Sequence, residues 1–483
     1  MKFPKKLIVP TILMSIILTG CGMKIQQTDT SNQSQKITIS DEMKSGAQTE
    51  VDQEIESHID EASKMLKKHG EVSKKVWPEY DLSQNNIIAC QIDDTTNEVI
   101  NAWKLTNKEK VKLTAEQIKD LNIPSSGTFN GVKFEGKKSI VIGISKDKLP
   151  DLNKIANFNI VYEMGVHEMF HLYYESFKPL MKIAKQSNEL GGRGTEFPKQ
   201  AEPRVYRKMI YDNLVLAFEN PKDEDIYLGK AKYWNEKWKT EYQKESYQTK
   251  LYDILEGKAR YIQNMMSISY NGISDIEETN KIINIFDKNT NPSDSTDSES
   301  YKLGFVAGVL LDKKDSNWKE EITKNPETPV ELLLKDVKII NDDTKDYEEK
   351  LKTSKEQLKE VNKDIDLKLE NIKQAEKNTA IPFLQLSQKS LKGSFETSGF
   401  IQYMGSTINT DFGGTFENKN GDIVLKNLSV YSTDGRKSSY ILPIDMDYKI
   451  SDGRLIIDNE FVKGDIKVKQ TKDKYGRTIY IMK

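Results

Sequence analysis

The chain has 483 residues, with 72 lysines and arginines against 74 aspartates and glutamates and a formal net charge of −2. That balance argues against a nucleic-acid partner, which would need a basic face, and the length suggests two or three domains. Only two cysteines, Cys21 and Cys90, and four histidines are present, so a cysteine-cluster metal site is excluded.

Lys2, Lys5 and Lys6 precede an apolar run from Leu7 to Leu18, followed by Thr19-Gly20-Cys21. A short basic start and so short an apolar stretch predict a secretory signal over residues 1–20, not a stable transmembrane helix. Small residues ending at a cysteine resemble the lipobox of bacterial lipoproteins. The resemblance implies cleavage before Cys21 and acylation of its thiol and new amino terminus. The protein would then be lipid-anchored on the extracytoplasmic face of the cell membrane, since several acyl chains hold where one is marginal. Losing residues 1–20 removes three lysines and no acids, moving the charge from −2 to −5. With Cys21 lipidated no intrachain disulfide is possible, and Cys90 is expected to pack as a small hydrophobe in a strand.

Residues 21–50 are rich in Gln, Ser, Thr and Lys and predict a disordered tether. A charged helical pattern from Val51 to about Val76 carries His58 and His69, both expected to be exposed. Ile87–Ile92 and Val99–Leu105 flank a turn-like Asp93–Asn97 and predict a hairpin, and Lys138–Ser145 is a further strand. From Phe158 to Phe177 the chain holds no proline and one glycine, Gly165, with Pro179 beyond the end. Ile160, Met164, His167, His171 and Tyr174 recur at spacings of three and four, so they share one inward helix face.

Within that helix His167-Glu168-Met169-Phe170-His171 reads HExxH. Histidines four apart stand one above the other, because about 3.6 residues make a turn. Their imidazoles can close on one zinc ion, and Glu168 between them can reach the water such an ion polarises. The alternative is a helix with two satisfied core histidines. A catalytic zinc usually takes three protein ligands, and no histidine follows His171. Phe177 stands where HExxHxxGxxH would place its last histidine. The third ligand is therefore a carboxylate, unless His58 or His69 folds back.

A glycine-containing loop, Asn188–Pro198, comes next. Helical patterns follow over Pro203–Phe218, Asp225–Met266 and Ile276–Phe286. In the second of these, Leu255-Glu256-Gly257-Lys258-Ala259-Arg260-Tyr261 offers Glu256, with Gly257 and Ala259 expected to let its helix approach the HExxH helix. Here the chain resembles gluzincin-type metallopeptidases, which carry HExxH on one helix and Glu-Gly-x-Ala-x-Tyr on a later one. The likeness spans about Val51 to Leu334, including Trp77-Pro78-Glu79-Tyr80-Asp81, Tyr301, Leu303-Gly304, Leu310-Leu311 and Trp318. It implies one zinc per chain on His167, His171 and Glu256, with Glu168 as general base. Tyr261 or Tyr301 would stabilise the oxyanion, with Arg204 and Arg260 as further donors. One departure stands out: thermolysin-like members carry an aspartate four residues after the ligand glutamate, and this chain has Arg260 there. Without the resemblance, Glu256 and Arg260 read as an i,i+4 ion pair.

The segment Asn289–Glu299 is rich in breakers, Tyr301–Leu311 predicts a buried helix, and Thr328–Leu334 a short one opened by Pro329. Asp342 to about Lys377 is dense in Glu, Lys and Asp, with Leu351, Leu358, Val361, Ile365 and Ile372 near heptad positions. It predicts a long amphipathic connector, not a committed coiled coil. After Pro382, runs at Ser390–Thr397, Ile423–Tyr431, Ser439–Met446, Arg454–Ile457 and Ile466–Gln470 alternate with turns and predict a small all-β domain. The expected architecture is α+β. A mostly helical zincin-like metallopeptidase domain with a small N-terminal β portion covers residues 51–340. A charged connector helix (341–380) and a C-terminal all-β domain (381–483) follow.

Two functions fit. One is a lipid-anchored zinc metallopeptidase acting on a peptide or protein, with a protein or cell-wall partner for the β domain. The other is a surface binding lipoprotein whose metallopeptidase domain is degenerate. Intact Glu168 favours the first, since a site kept only for binding needs no base. Zinc capture for transport is disfavoured, because histidine-rich tracts are absent. Deleting Pro382–Lys483 removes no proposed ligand, so a short peptide should still be cut.

Overall fold

The computed structural model describes residues 38–40, 52–82, 85–93, 96, 98–146, 159–174, 178–270, 296–315, 317–342, 345–433 and 438–483. Cys21 and the Ile276–Phe286 pattern lie outside these residues. Among the described residues twelve helices and two sheets make a mixed α+β fold. Among the described residues no helix is long and apolar enough to cross a membrane.

The first sheet is built from β1 (Thr38–Ile39), β2 (Asn86–Ile92), β3 (Glu98–Leu105), β4 (Lys110–Lys112), β5 (Phe129–Phe134) and β6 (Lys137–Ile144). Its order is β1-β3-β2-β6-β5, with β4 beside β3. β2 and β3 form the expected hairpin, while β2 and β6 run parallel. Residues 38–40, expected within a disordered tether, instead add a parallel strand on β3, with Ser40 N donating to Val99 O at 2.9 Å. Side chains alternate between the faces of a strand. Ile87, Ala89, Ile140 and Ile142 therefore join the main helical core, whereas Ile88, Cys90 and Val141 form a second cluster with Leu113 and Ile118. Ile118 belongs to α2 (Ala115–Ile118), whose Thr114 and Gln117 make a capping box.

Against the sheet lies the HExxH helix, α3 (Ile160–Tyr174), at a distance only a glycine permits. A Cβ on Gly165 would fall inside the Ile87 side chain. Asn159 caps α3 by accepting from Tyr162 N at 3.0 Å, and its amide donates to His58 O at 2.8 Å. That bond ties α3 to α1 (Asp52–Val76). The structure corrects the placing of His58 and His69. Both are buried, on the face α1 turns inward, and His69 Nδ1 stands 3.4 Å from the Tyr162 hydroxyl.

The remaining helices of this core are α4 (Lys178–Glu189), α5 (Ala201–Glu219), α6 (Glu224–Glu241), α7 (Gln243–Tyr270), α8 (Thr296–Lys314), α9 (Trp318–Lys324) and α10 (Pro329–Leu334). The pattern over Asp225–Met266 is thus two helices, interrupted at Tyr242. Within the breaker-rich stretch, residues from Thr296 on already belong to α8. The 28-residue α7 is the central helix, packed on α1, α3, α4 and α8.

The connector is two helices, α11 (Lys345–Lys368) and α12 (Glu370–Lys377), and α11 lies along α5. Its ion pairs there are Lys350–Asp212 at 3.2 Å and Lys355–Glu202 at 3.0 Å. Beyond it β8 (Phe383–Ser387), β9 (Leu391–Glu396), β10 (Gly399–Tyr403), β11 (Ser406–Asn418), β12 (Gly421–Thr433), β13 (Ser439–Pro443), β14 (Lys449–Ser451), β15 (Arg454–Asp458), β16 (Val462–Lys472) and β17 (Thr478–Met482) follow one another. They enclose their own core of Leu384, Phe412, Phe416, Leu425, Leu442 and Ile466, among others. One further strand joins this sheet from the helical half: β7 (Thr195–Glu196) pairs in parallel with β10.

Candidate metal centre

Helix α3 presents His167 and His171 to α7, and α7 presents Glu256 to both. The two Nε2 atoms stand 3.1 Å apart. Glu256 Oε2 is 3.3 Å from each of them. Glu168 lies within 4.8 Å of both histidines, but its nearer oxygen is 3.9 Å from His167 Nε2. The carboxylate that completes the converging set is therefore Glu256. All four side chains are buried, none more than 4% exposed. The third-ligand candidate does not pair within its own helix with Arg260, whose guanidinium stacks over the Tyr301 ring at 4.6 Å.

The hydrogen-bond network sets the His167 tautomer. Glu163 accepts from Gln263 Nε2 at 3.1 Å and from Ser267 Oγ at 2.9 Å. The amide oxygen of Gln263 therefore faces His167 Nδ1, 3.1 Å away. Nδ1 carries the proton and donates it, so Nε2 turns its lone pair toward His171 and Glu256. Burial pushes the His167 pKa down to about 4, partly offset by the Glu256 carboxylate beside it, so the ring is neutral at pH 7. Burial also works against the Glu256 charge. It is outweighed by His171 and His167 beside the carboxylate and by the Arg193 guanidinium, which hold the carboxyl well below its usual range.

Three electron-pair donors that face one point at this spacing repel one another unless a cation or proton lies among them. Tetrahedral zinc with bonds of about 2.0–2.1 Å separates its ligand atoms by about 3.3–3.4 Å. Separations of 3.1 to 3.3 Å therefore fit that ion.

Arg193 Nη2 donates to Glu256 Oε1 at 2.6 Å, which leaves Oε2 for the histidines. The guanidinium also stacks on the Tyr252 ring at 4.8 Å. Sequence reasoning missed Arg193 and Gln263. Gln263 follows Glu256 by seven residues, close to two turns, and so shares its face, a signal that was present. Arg193 carried only the hint of a lone cation among Gly191, Gly192 and Gly194.

Tyr301 stands beside the site, its ring centroid 5.7 Å from that of His167. Tyr261 does not join it. Five residues after Glu256 it lies on another face of α7, where its hydroxyl donates to Asp312 and its ring meets Trp77 and Trp318 edge-on. Gly257 likewise opens α7 toward α8, not toward the HExxH helix. A Cβ there would come within 3.0 Å of Gly304 Cα. Arg204 is held in a buried ion network with Glu245 and Glu299, which Arg207 extends to Asp253 at 2.6 Å.

No protein-family model, curated protein or solved structure matches the chain.

Proposed function

We propose that the protein is a lipid-anchored, extracytoplasmic zinc metallopeptidase of the gluzincin type, hydrolysing peptide bonds in a peptide or protein substrate. One observation supports this above the others. His167, His171 and Glu256 bring three donor atoms to 3.1–3.3 Å of one another, with Glu168 just outside the set. Those three residues would hold the ion, which when bound supplies Lewis-acid polarisation of a carbonyl and of water.

Glu168 takes the proton from the attacking water and later delivers it to the leaving amine. Gln263 and Glu163 keep His167 in the tautomer that exposes Nε2, the kind of outer partner metal-bound histidines generally have. Arg193 keeps Glu256 ionised and oriented. Tyr301, with Arg260 against its ring, is the side chain best placed among the sequence candidates to steady a developing oxyanion.

Burial of the whole set favours one second reading, a metal held for structure in a binding lipoprotein. Metal content tests the ligands: His167→Ala, His171→Ala and Glu256→Ala should each lose the single zinc that the wild-type chain carries. Stoichiometric zinc at wild-type affinity in Glu256→Ala would remove it from the ligand set.

A further inference from the structure

Resting on the metal centre just described, we propose that the C-terminal β domain is part of that centre's construction. Gln402, with Asn362 of the connector, holds the loop over residues 190–199 in the shape that lets Arg193 fix Glu256.

The loop that carries Arg193 is clamped from both halves of the molecule. Gln402 lies on β10, yet its side chain is buried among loop residues of the helical half. Its amide donates to Gly191 O at 2.7 Å and to Thr407 Oγ1 at 2.6 Å. Its backbone oxygen accepts from Phe197 N at 2.9 Å. Strand pairing sets Ile401 opposite Thr195 and Gln402 opposite Glu196.

Two glycines make room for this side chain. A Cβ on Gly191 or on Gly194 would collide with the Gln402 amide, and Gly191 also has a φ of +112°, which side-chain-bearing residues avoid. From the other direction Gln248 of α7 donates to Gly194 O. Arg193 thus sits between two carbonyls, each tied by a glutamine, one from the helix of Glu256 and one from the β domain. Asn362 of α11 closes the far end. Its oxygen accepts from Lys199 N at 2.8 Å, and its amide donates to Lys199 O at 3.0 Å. Phe197 packs edge-on to Tyr403 between these points, beside the buried Ile365, Ile401 and Ile408.

Arginine has a long side chain with many rotamers, and it grips a carboxylate firmly only when its backbone is fixed. Releasing the loop frees Arg193, and Glu256 then loses both the bond on Oε1 and the orientation of Oε2. The expectation that the β domain can be removed without touching the chemistry is thereby reversed. Gln402 and Asn362 are positioning residues, acting through Arg193.

The test is zinc affinity of the full chain, measured with zinc alone in competition with a chelator. Loss of an outer partner weakens metal binding by about 10- to 100-fold, so Gln402→Ala and Asn362→Ala should each fall at or above the lower end of that range. A general loss of packing would also lower the melting temperature, but it would not make the effect depend on Arg193. In an Arg193→Ala background, Gln402→Ala should therefore weaken zinc by no more than about twofold further. Wild-type affinity in Gln402→Ala, or effects that simply multiply in the double variant, would overturn the proposal. If Gln402→Ala does not fold, Asn362→Ala carries the same cycle. A wild-type chain that takes up no zinc would instead overturn the metal centre itself, and this proposal with it.

Discussion

At the scale of single residues, the buried histidines of α1 give the fold an acid limit. Burial pushes His58 and His69 down to about 4 from an ordinary value near 6.5, only partly offset by Glu61 and Asp81. Among the described residues their Nε2 atoms have no hydrogen-bond partner. Between pH 6.5 and 4 the unfolded chain binds protons that the folded chain refuses. Stability therefore falls as pH drops through that window, by up to about 1.4 kcal/mol per pH unit for each histidine. Glu163 works in the opposite sense. Burial raises it to about 7, so its contribution is full below 4.5 and is lost as pH rises from there through 7. Comparing His69→Phe with wild type isolates one histidine: the urea midpoint of the variant should gain on that of wild type as pH falls from 6.5 to 4, and parallel curves would contradict the assignment. The sequence marked these residues only as histidines in a charged helix. Which face of α1 is covered depends on α3 and the sheet, and local pattern does not carry that information.

At the scale of elements, α7 organises the site because one face carries Gln248, Glu256 and Gln263 at intervals of seven to eight residues. Its other side needs α8 in unusually close contact, at the pair Gly257 and Gly304. A Cβ on Gly304 would fall inside the Gly257 backbone, and one on Gly308 inside the Tyr261 ring. Gly304→Ala should therefore force the helices apart and cost about 1–3 kcal/mol, read as a lower unfolding midpoint. A midpoint within error of wild type would count against the close crossing.

The HExxH helix and the β2–β3 hairpin were legible because apolar periodicity and turn residues coincide there. Several strands of the β domain were not. Strand β11 was not among the expected runs: it contains Gly413-Gly414, and its register against β12 shifts through Phe412 and Gly414, where the strand continues as a bulge. The short strand β8 takes its place from β13 and β17, partners far along the chain.

At the scale of the whole molecule, the helical half and the β domain each have a core, but they meet at the loop of Arg193. The HExxH motif could be read in the sequence, and Glu256, which faces its histidines, was singled out there with the help of a resemblance. The brace on that carboxylate could not, since Arg193 and Gln402 are 209 residues apart and no local signal links them. The anchor is a separate proposition at this scale. Cys21→Ser should leave the protein unprocessed or released from membranes, and a cleaved variant that stays membrane-bound would remove the lipid anchor.

The central claim is that this centre hydrolyses peptides with Glu168 as its base. It is tested most directly by zinc content and turnover on a mixed peptide library, comparing the wild-type chain with Glu168→Gln. Glutamine preserves size but accepts no proton. Zinc should remain at one per chain while hydrolysis falls by about 10²–10⁴-fold. Unchanged turnover in Glu168→Gln, or no hydrolysis of any peptide by zinc-loaded wild type, would contradict the account.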